Sequence, residues 1–346
     1  LKSKEMTTFD PNAAASSDSG IFGLPFSVDE AKLVLLPVPW EVTTSYGGGT
    51  SKGPEAILQA SKQVDLFDFD LGNIYEAGIA MTDIPHEILQ WNHDARKLAE
   101  VVIHADESIN EGYLKSVRDE VNDYSDKLNQ HVYSEAKKYL AQGKMVGVVG
   151  GDHSTPFGLI QALLEKHPGM GILHIDAHAD LRDAYEGFEH SHASIMYNVI
   201  TKTPLAKLVQ VGIRDFCEEE FIFIQQHNSR IKTFFDAELF EAKMNHKIWS
   251  DICDDIIEQL PQEVYISFDI DGLDPRFCPH TGTPVPGGLD FQEALYLIKK
   301  VAKSGRKIVG FDLNEVSPGD ADGEWDANVG ARVLYKLCGY ALSHRA

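Results

Sequence analysis

The stretch His174-Ile175-Asp176-Ala177-His178-Ala179-Asp180 places three metal-ligating side chains, Asp176, His178 and Asp180, at every second position. An apolar run at 170–173 leads into it and reads as a buried strand. Alternate side chains beyond that strand therefore leave the backbone on one side. Two carboxylates and an imidazole buried together are costly unless positive charge sits among them, and a divalent cation supplies it. The pattern recurs twice. Residues 144–149 read as a second strand, followed by Gly150-Gly151-Asp152-His153-Ser154. Residues 264–268 read as a third, ending in Asp269-Ile270-Asp271-Gly272-Leu273-Asp274-Pro275. Ligands of open α/β sheets bind beyond the carboxyl ends of the strands, so the three clusters can meet in one crevice. One such cluster is an ordinary polar turn; three with this spacing point to metal-assisted chemistry.

The elements that must position these residues follow from the alternation of apolar runs and amphipathic segments. Strands are expected at 31–37, 145–149, 170–175, 207–213, 263–268 and 307–312. Helices are expected at 155–166, 191–200, 217–227, 247–259, 290–303 and 326–343. This order predicts an α/β fold: a single-domain, three-layer α/β/α arrangement with a mainly parallel sheet. Residues 85–142, rich in Glu, Lys, Asn and Leu, read as two long amphipathic helices forming a helical insertion. The glycines of Tyr46-Gly47-Gly48-Gly49-Thr50 do not match a phosphate-binding loop and read as a turn lining a site, before a helix starting near Pro54. Residues 1–25 are expected to form a flexible arm, and 26–346 the catalytic domain.

Composition narrows the function. The chain has 346 residues, of which 43% are hydrophobic, enough for one large core. A formal net charge of −22 argues against nucleic acid and anionic membranes, and is compatible with a cationic substrate. Cys217, Cys253, Cys278 and Cys338 form no CxxC pair and read as reduced thiols. Neither a signal peptide nor a membrane-spanning run is apparent, which leads to a cytoplasmic expectation.

The segments GGDHS at 150–154, DAHAD at 176–180 and SFDIDGLDP at 267–275 resemble the three signature segments of the ureohydrolases, the arginase and agmatinase family. The resemblance runs from about residue 30 to the C-terminus. It implies an arginase-like fold, a homo-oligomer (trimer or hexamer) and two Mn2+ per chain bridged by hydroxide. Carried over, His153, Asp176, Asp180 and Asp269 hold one ion, and Asp176, His178, Asp269 and Asp271 the other. Asp176 and Asp269 bridge. A set of carboxylates and imidazoles suits manganese. His192 matches the family's proton-shuttle histidine, with His190 as a competitor two residues away. Glu315, in Phe311-Asp312-Leu313-Asn314-Glu315, matches the glutamate that pairs with the guanidinium, and Thr283 a threonine near the substrate.

The loop at 181–189 and the run at 286–289 are similar to agmatinase-type members. Agmatine, hydrolysed to putrescine and urea, is therefore the expected substrate. Arg182 complicates this, because a cation there suits a carboxylate tail such as that of 4-guanidinobutyrate. Arginine, guanidine and formiminoglutamate are further alternatives. A single-zinc deacetylase-like enzyme and an inactive metal-binding paralogue are the readings from other classes.

Overall fold

Strand β1 (Leu33–Val38) is buried along its whole length. Leu33 and Leu35 enter one apolar core, and Val34, Leu36 and Val38 enter another. A strand covered on both faces needs a continuous apolar run rather than alternation, and that is what its sequence supplies. The computed structural model describes residues 9–319 and 324–343. After β1 come α1 (Gly53–Ser61), β2 (Ile79–Met81), α2 (His86–Ile103), α3 (Glu111–Ala141), β3 (Met145–Gly150) and α4 (Phe157–Lys166). They are followed by β4 (Gly171–Ile175), α5 (Ile195–Lys202), β5 (Lys207–Ile213), α6 (Glu218–Gln226), β6 (Ile231–Phe235), α7 (Asp236–Met244) and α8 (Trp249–Glu258). The order closes with β7 (Glu263–Asp269), α9 (Phe291–Lys303), β8 (Lys307–Asn314) and α10 (Trp325–Leu342).

The eight strands form one sheet in the order β2-β1-β3-β8-β7-β4-β5-β6, and every pairing is parallel. One core lies between the sheet and α1, α8, α9 and α10, and the other between the sheet and α2 to α5. This is the three-layer architecture expected from the sequence. The strands β2 and β6 were not anticipated. Both lie at the sheet's edges, where β2 has three residues and β6 buries its residues only in part, so neither presents a continuous apolar run.

The helical stretch at 85–142 is the pair α2 and α3. Helix α3 buries Leu114, Val117, Val121, Leu128, Val132 and Ala136, a stripe at spacings of three, four and seven. The boundary of the expected arm moves. Ile21, Phe22 and Leu24 are buried, and the Phe22 ring sits 4.9 Å from that of Tyr335 on α10. Three apolar residues in a row of small polar ones were enough to dock this segment. Residues 1–8 of the expected arm lie outside the described residues. Among the described residues no helix is long and apolar enough to cross a membrane.

Candidate metal centre and substrate cleft

Five neighbouring strands, β3, β8, β7, β4 and β5, deliver the polar residues along one edge of the sheet. Their carboxyl ends lead in turn to His153, to Glu315, to Asp269 and Asp271, to Asp176, His178 and Asp180, and to Asp215. Parallel strands start their loops on the same side, so residues distant in sequence meet there.

His153 is buried, and its Nδ1 faces three carboxylates at once: Asp176 Oδ2 at 3.0 Å, Asp180 Oδ2 at 3.2 Å and Asp269 Oδ2 at 3.2 Å. Its Nε2 is 2.8 Å from Ser267 Oγ and 3.6 Å from Asp312 Oδ1, which fixes the ring from behind. His178 Nδ1 faces Asp271 Oδ2 at 3.0 Å and Asp176 Oδ1 at 3.5 Å. Asp176 thus presents one oxygen to each histidine and joins two ligand groups, His153-His174-Asp176-Asp180 and Asp176-His178-Asp271.

The charge balance fits metal ions. Burial drives the Asp180 carboxyl up to about 6, helped by the like charge of Asp176, and drives Asp269 well above the carboxylate range, helped by Asp271 and Asp176. Burial opposes the charged forms of His153 and His178, yet the carboxylates around them hold both well above the usual imidazole value. Protons therefore supply the positive charge the cluster requires, and metal ions do so by replacing them. Asp180 Oδ2 is buried and has no well-directed hydrogen bond, its near neighbour being the His153 ring nitrogen at 3.2 Å, as expected of a ligand oxygen. The residues present can hold metal ions.

Beside the cluster lies a cleft of about 190 Å³ whose lining includes His153, His178, Asp180, Asp269, His192, Thr283 and Glu315. Glu315 is buried and held at a positive φ of 64° directly after β8. Its backbone N donates to Gly151 O at 2.8 Å, and its Oε1 accepts the backbone N–H of His153 at 2.8 Å. No Lys or Arg among the described residues pairs with it, so burial, then Asp152 and Asp271, push its carboxyl well above the ordinary range. Such a carboxylate is poised for a cation that arrives from outside. Gly282 leaves room for it, since a Cβ there would lie 2.9 Å from Glu315 Oε2. Thr283 Oγ1 is 3.5 Å from Asp271 Oδ2.

The two histidines expected to compete diverge. His192 lines the cleft, with Nδ1 3.2 Å from Thr43 Oγ1, and burial together with His178, His153 and Arg182 pushes it down to about 4. His190 turns away, is buried against the Phe157 ring at 5.3 Å, and places Nε2 3.3 Å from Asp126 Oδ1 on α3. Helices α2 and α3 brace this part of the cleft. Arg96 of α2 donates to Val42 O and Thr44 O at 3.1 and 2.6 Å, on either side of Thr43. Asn122 of α3 accepts from Glu189 N at 2.9 Å.

Arg182 lines the cleft with its charge already engaged. Its guanidinium stacks on the Tyr185 ring at 5.0 Å, and its Nε is 3.7 Å from Glu220 Oε2. Sequence reasoning left four residues unassigned that the structure brings to the site. His174 continues the alternation of 176, 178 and 180 and lies 2.7 Å from Asp176 Oδ2, so the period itself was the signal. Asp312 and Ser267 sit within strands, inside segments quoted for their neighbours, and no role was drawn for either from the sequence. Asp215 follows β5, and only the pairing of His178 with Asp215 across β4 and β5 brings it to the cleft.

The model of the arginase family matches residues 31–339. The N(1)-aminopropylagmatine ureohydrolase of Thermus thermophilus is 33% identical over 312 residues, covering 90% of each chain. An agmatinase of Proteus mirabilis is 32% identical over 318 residues, covering 90% of this chain and 88% of its own. The solved proclavaminate amidino hydrolase of Streptomyces clavuligerus superposes with a TM-score of 0.72 at 24% identity, covering 95% of this chain and 98% of that one.

Proposed function

The chain belongs to the arginase family, hydrolases acting on guanidino C–N bonds, and on that premise we propose that it is a two-manganese ureohydrolase of guanidino compounds with a cationic tail. Agmatine, hydrolysed to putrescine and urea, is the substrate we assign. The observation that carries this reading is Glu315, a buried carboxylate without a cationic partner in the wall of the metal-ligand cleft. A carboxylate can receive two guanidinium N–H groups in parallel, which fixes the planar group and its carbon over the cluster. The engaged charge of Arg182 supports a cationic tail over the carboxylate tail of 4-guanidinobutyrate.

His153, Asp176, Asp180 and Asp269 would hold one manganese ion, and Asp176, His178, Asp269 and Asp271 the other. Bound metal ions make water nucleophilic at neutral pH by lowering its pKa, which the poorly electrophilic guanidinium carbon requires. The chain's own groups do the rest. Glu315 binds and orients the guanidinium, and Thr283 lines the same wall. His192, neutral at pH 7, takes a proton from the attacking water and returns it to the departing amine nitrogen. The Thr43 hydroxyl at its Nδ1 sets the ring's orientation.

The relative in Thermus thermophilus favours a second substrate of the same class, N1-aminopropylagmatine, whose longer tail carries an additional amine. Urea release from the manganese-loaded chain separates the readings. Agmatine or N1-aminopropylagmatine should exceed arginine, 4-guanidinobutyrate and guanidine in kcat/KM. Preference for 4-guanidinobutyrate would overturn the cationic-tail assignment.

A further inference from the structure

A row of five buried polar side chains crosses the sheet one step behind the ligand cluster. The strand register sets His174 of β4 beside Gln210 of β5 and Ser267 of β7, Gln210 beside Thr233 of β6, and Ser267 beside Asp312 of β8. His174 and Ser267 each stand two residues before a carboxylate of the cluster, Asp176 and Asp269. Buried polar groups need hydrogen-bond partners, and here the partners dictate where each proton lies.

The amide of Gln210 is the pivot. One of its atoms lies 2.8 Å from Ala179 O, a pure acceptor, so that atom is the nitrogen. The amide oxygen then accepts the Thr233 hydroxyl at 2.9 Å, and the second N–H donates to His174 Nδ1 at 3.0 Å. An imidazole that accepts at one nitrogen carries its proton on the other. His174 Nε2–H therefore donates to Asp176 Oδ2 at 2.7 Å. The other half of the row sets the opposite tautomer. Asp312 Oδ1 accepts the Ser267 hydroxyl at 3.1 Å, so Ser267 Oγ accepts from His153 Nε2 at 2.8 Å. His153 thus turns Nδ1 toward the carboxylates, and once protons give way to ions that nitrogen offers a lone pair. The two rings lie 5.2 Å apart and both face Asp176 Oδ2, yet one can ligate there and the other can only donate.

We infer that His174, locked by Gln210, is a positioning residue for the shared carboxylate Asp176 and not a metal ligand itself. The inference rests on the two-manganese reading above and adds the residues that hold its central ligand. Asp176 Oδ1 accepts the His178 backbone N–H at 2.5 Å, and Oδ2 accepts His174 Nε2–H. Fixed at both oxygens, the carboxylate cannot rotate, so each oxygen stays turned to its own histidine, Oδ1 to His178 and Oδ2 to His153. Outer hydrogen bonds of this kind orient ligands and raise metal affinity.

The test is the free manganese concentration at half occupancy, read by equilibrium dialysis and elemental analysis, with the Tm of each metal-free variant recorded. In His174→Gln the longer amide reaches the place of Nε2 and restores a donor; in His174→Asn it stops near Nδ1 and does not. Gln210→Met removes the lock at a residue that contacts no ligand side chain. His174→Asn and Gln210→Met should raise the manganese requirement about tenfold to a hundredfold, and His174→Gln should keep it within about threefold. Should His174→Asn not fold, Gln210→Met against wild type gives the same decision. If the row serves only packing, Tm falls in the variants while the manganese requirement stays within about twofold; that overturns the inference and leaves the two-ion reading standing. Loss of an ion in His174→Gln as well, or Nε2 of His174 on a metal in a crystal structure of the manganese-loaded chain, overturns it by making His174 a ligand. A wild-type chain that binds no manganese removes the metal reading itself.

Discussion

Replacing Glu315 with glutamine changes one charge and almost no volume, so it isolates what a buried carboxylate does in this cleft. The amide keeps an oxygen that can accept the His153 backbone N–H, now bonded to Glu315 Oε1 at 2.8 Å. What disappears is the anionic acceptor for the guanidinium. A hydrogen bond to a charged group is worth about 1.5–3 kcal/mol. Loss of about 3 kcal/mol of transition-state binding lowers kcat/KM for agmatine roughly 150-fold, measured by urea release at fixed manganese. Stability should move the other way. Burial, Asp152 and Asp271 raise the folded-state pKa of Glu315 above its unfolded value. Folding therefore disfavours the ionised form, and the cost appears as pH rises above the unfolded carboxylate range of about 4.3. Metal-free Glu315→Gln should melt at a higher temperature than wild type at pH 8, and the gain should vanish toward pH 4. Wild-type kcat/KM in the variant would refute the role of Glu315 as guanidinium acceptor. A lower Tm at pH 8 would refute the account of its uncompensated charge.

Asp176 faces both histidines, so Asp176→Asn should leave well under two manganese ions per chain by elemental analysis; retention of both would remove its shared role. His192→Ala should lower kcat by about two orders of magnitude with metal content intact, as expected for loss of a positioned proton carrier, whereas His190→Ala should change kcat by less than about threefold. Reversal of those effects would move the proton transfer to His190. Gly282→Ala should displace Glu315, because the added Cβ lies 2.9 Å from its Oε2; kcat/KM should fall about tenfold or more while manganese content holds, and an unchanged rate would show that the carboxylate can shift without cost.

The central part of the fold was legible because parallel strands covered on both faces need unbroken apolar runs. Strands β3, β4, β5, β7 and β8 carry such runs, and their carboxyl ends carry the polar clusters. The edge strands were not legible, since β6 alternates with exposed Lys232 and β2 has only three residues. The docking of Ile21, Phe22 and Leu24 depends on partners such as Tyr335, far along the chain. At the site, spacing brought the His and Asp ligands into view. Spacing could not separate His190 from His192, because two residues in an irregular loop can point anywhere. Their environments, Asp126 and Phe157 against Thr43 and the cleft, distinguish them. Nor could the sequence reveal that Arg182 is engaged, since its partners Tyr185 and Glu220 come from the loop after β4 and from the first turn of α6. Asp215 escaped notice because its only qualification is the strand register that sets it beside His178.

The most direct test of the account is product analysis of the manganese-loaded wild-type chain given agmatine. The account predicts urea and putrescine in equal amounts, with about two metal ions bound per chain and loss of turnover on chelation. A chain that holds two ions yet releases no urea from agmatine, N1-aminopropylagmatine or any other guanidino compound would contradict it. Formamide from formiminoglutamate in that same preparation would redirect the chemistry to a different C–N bond.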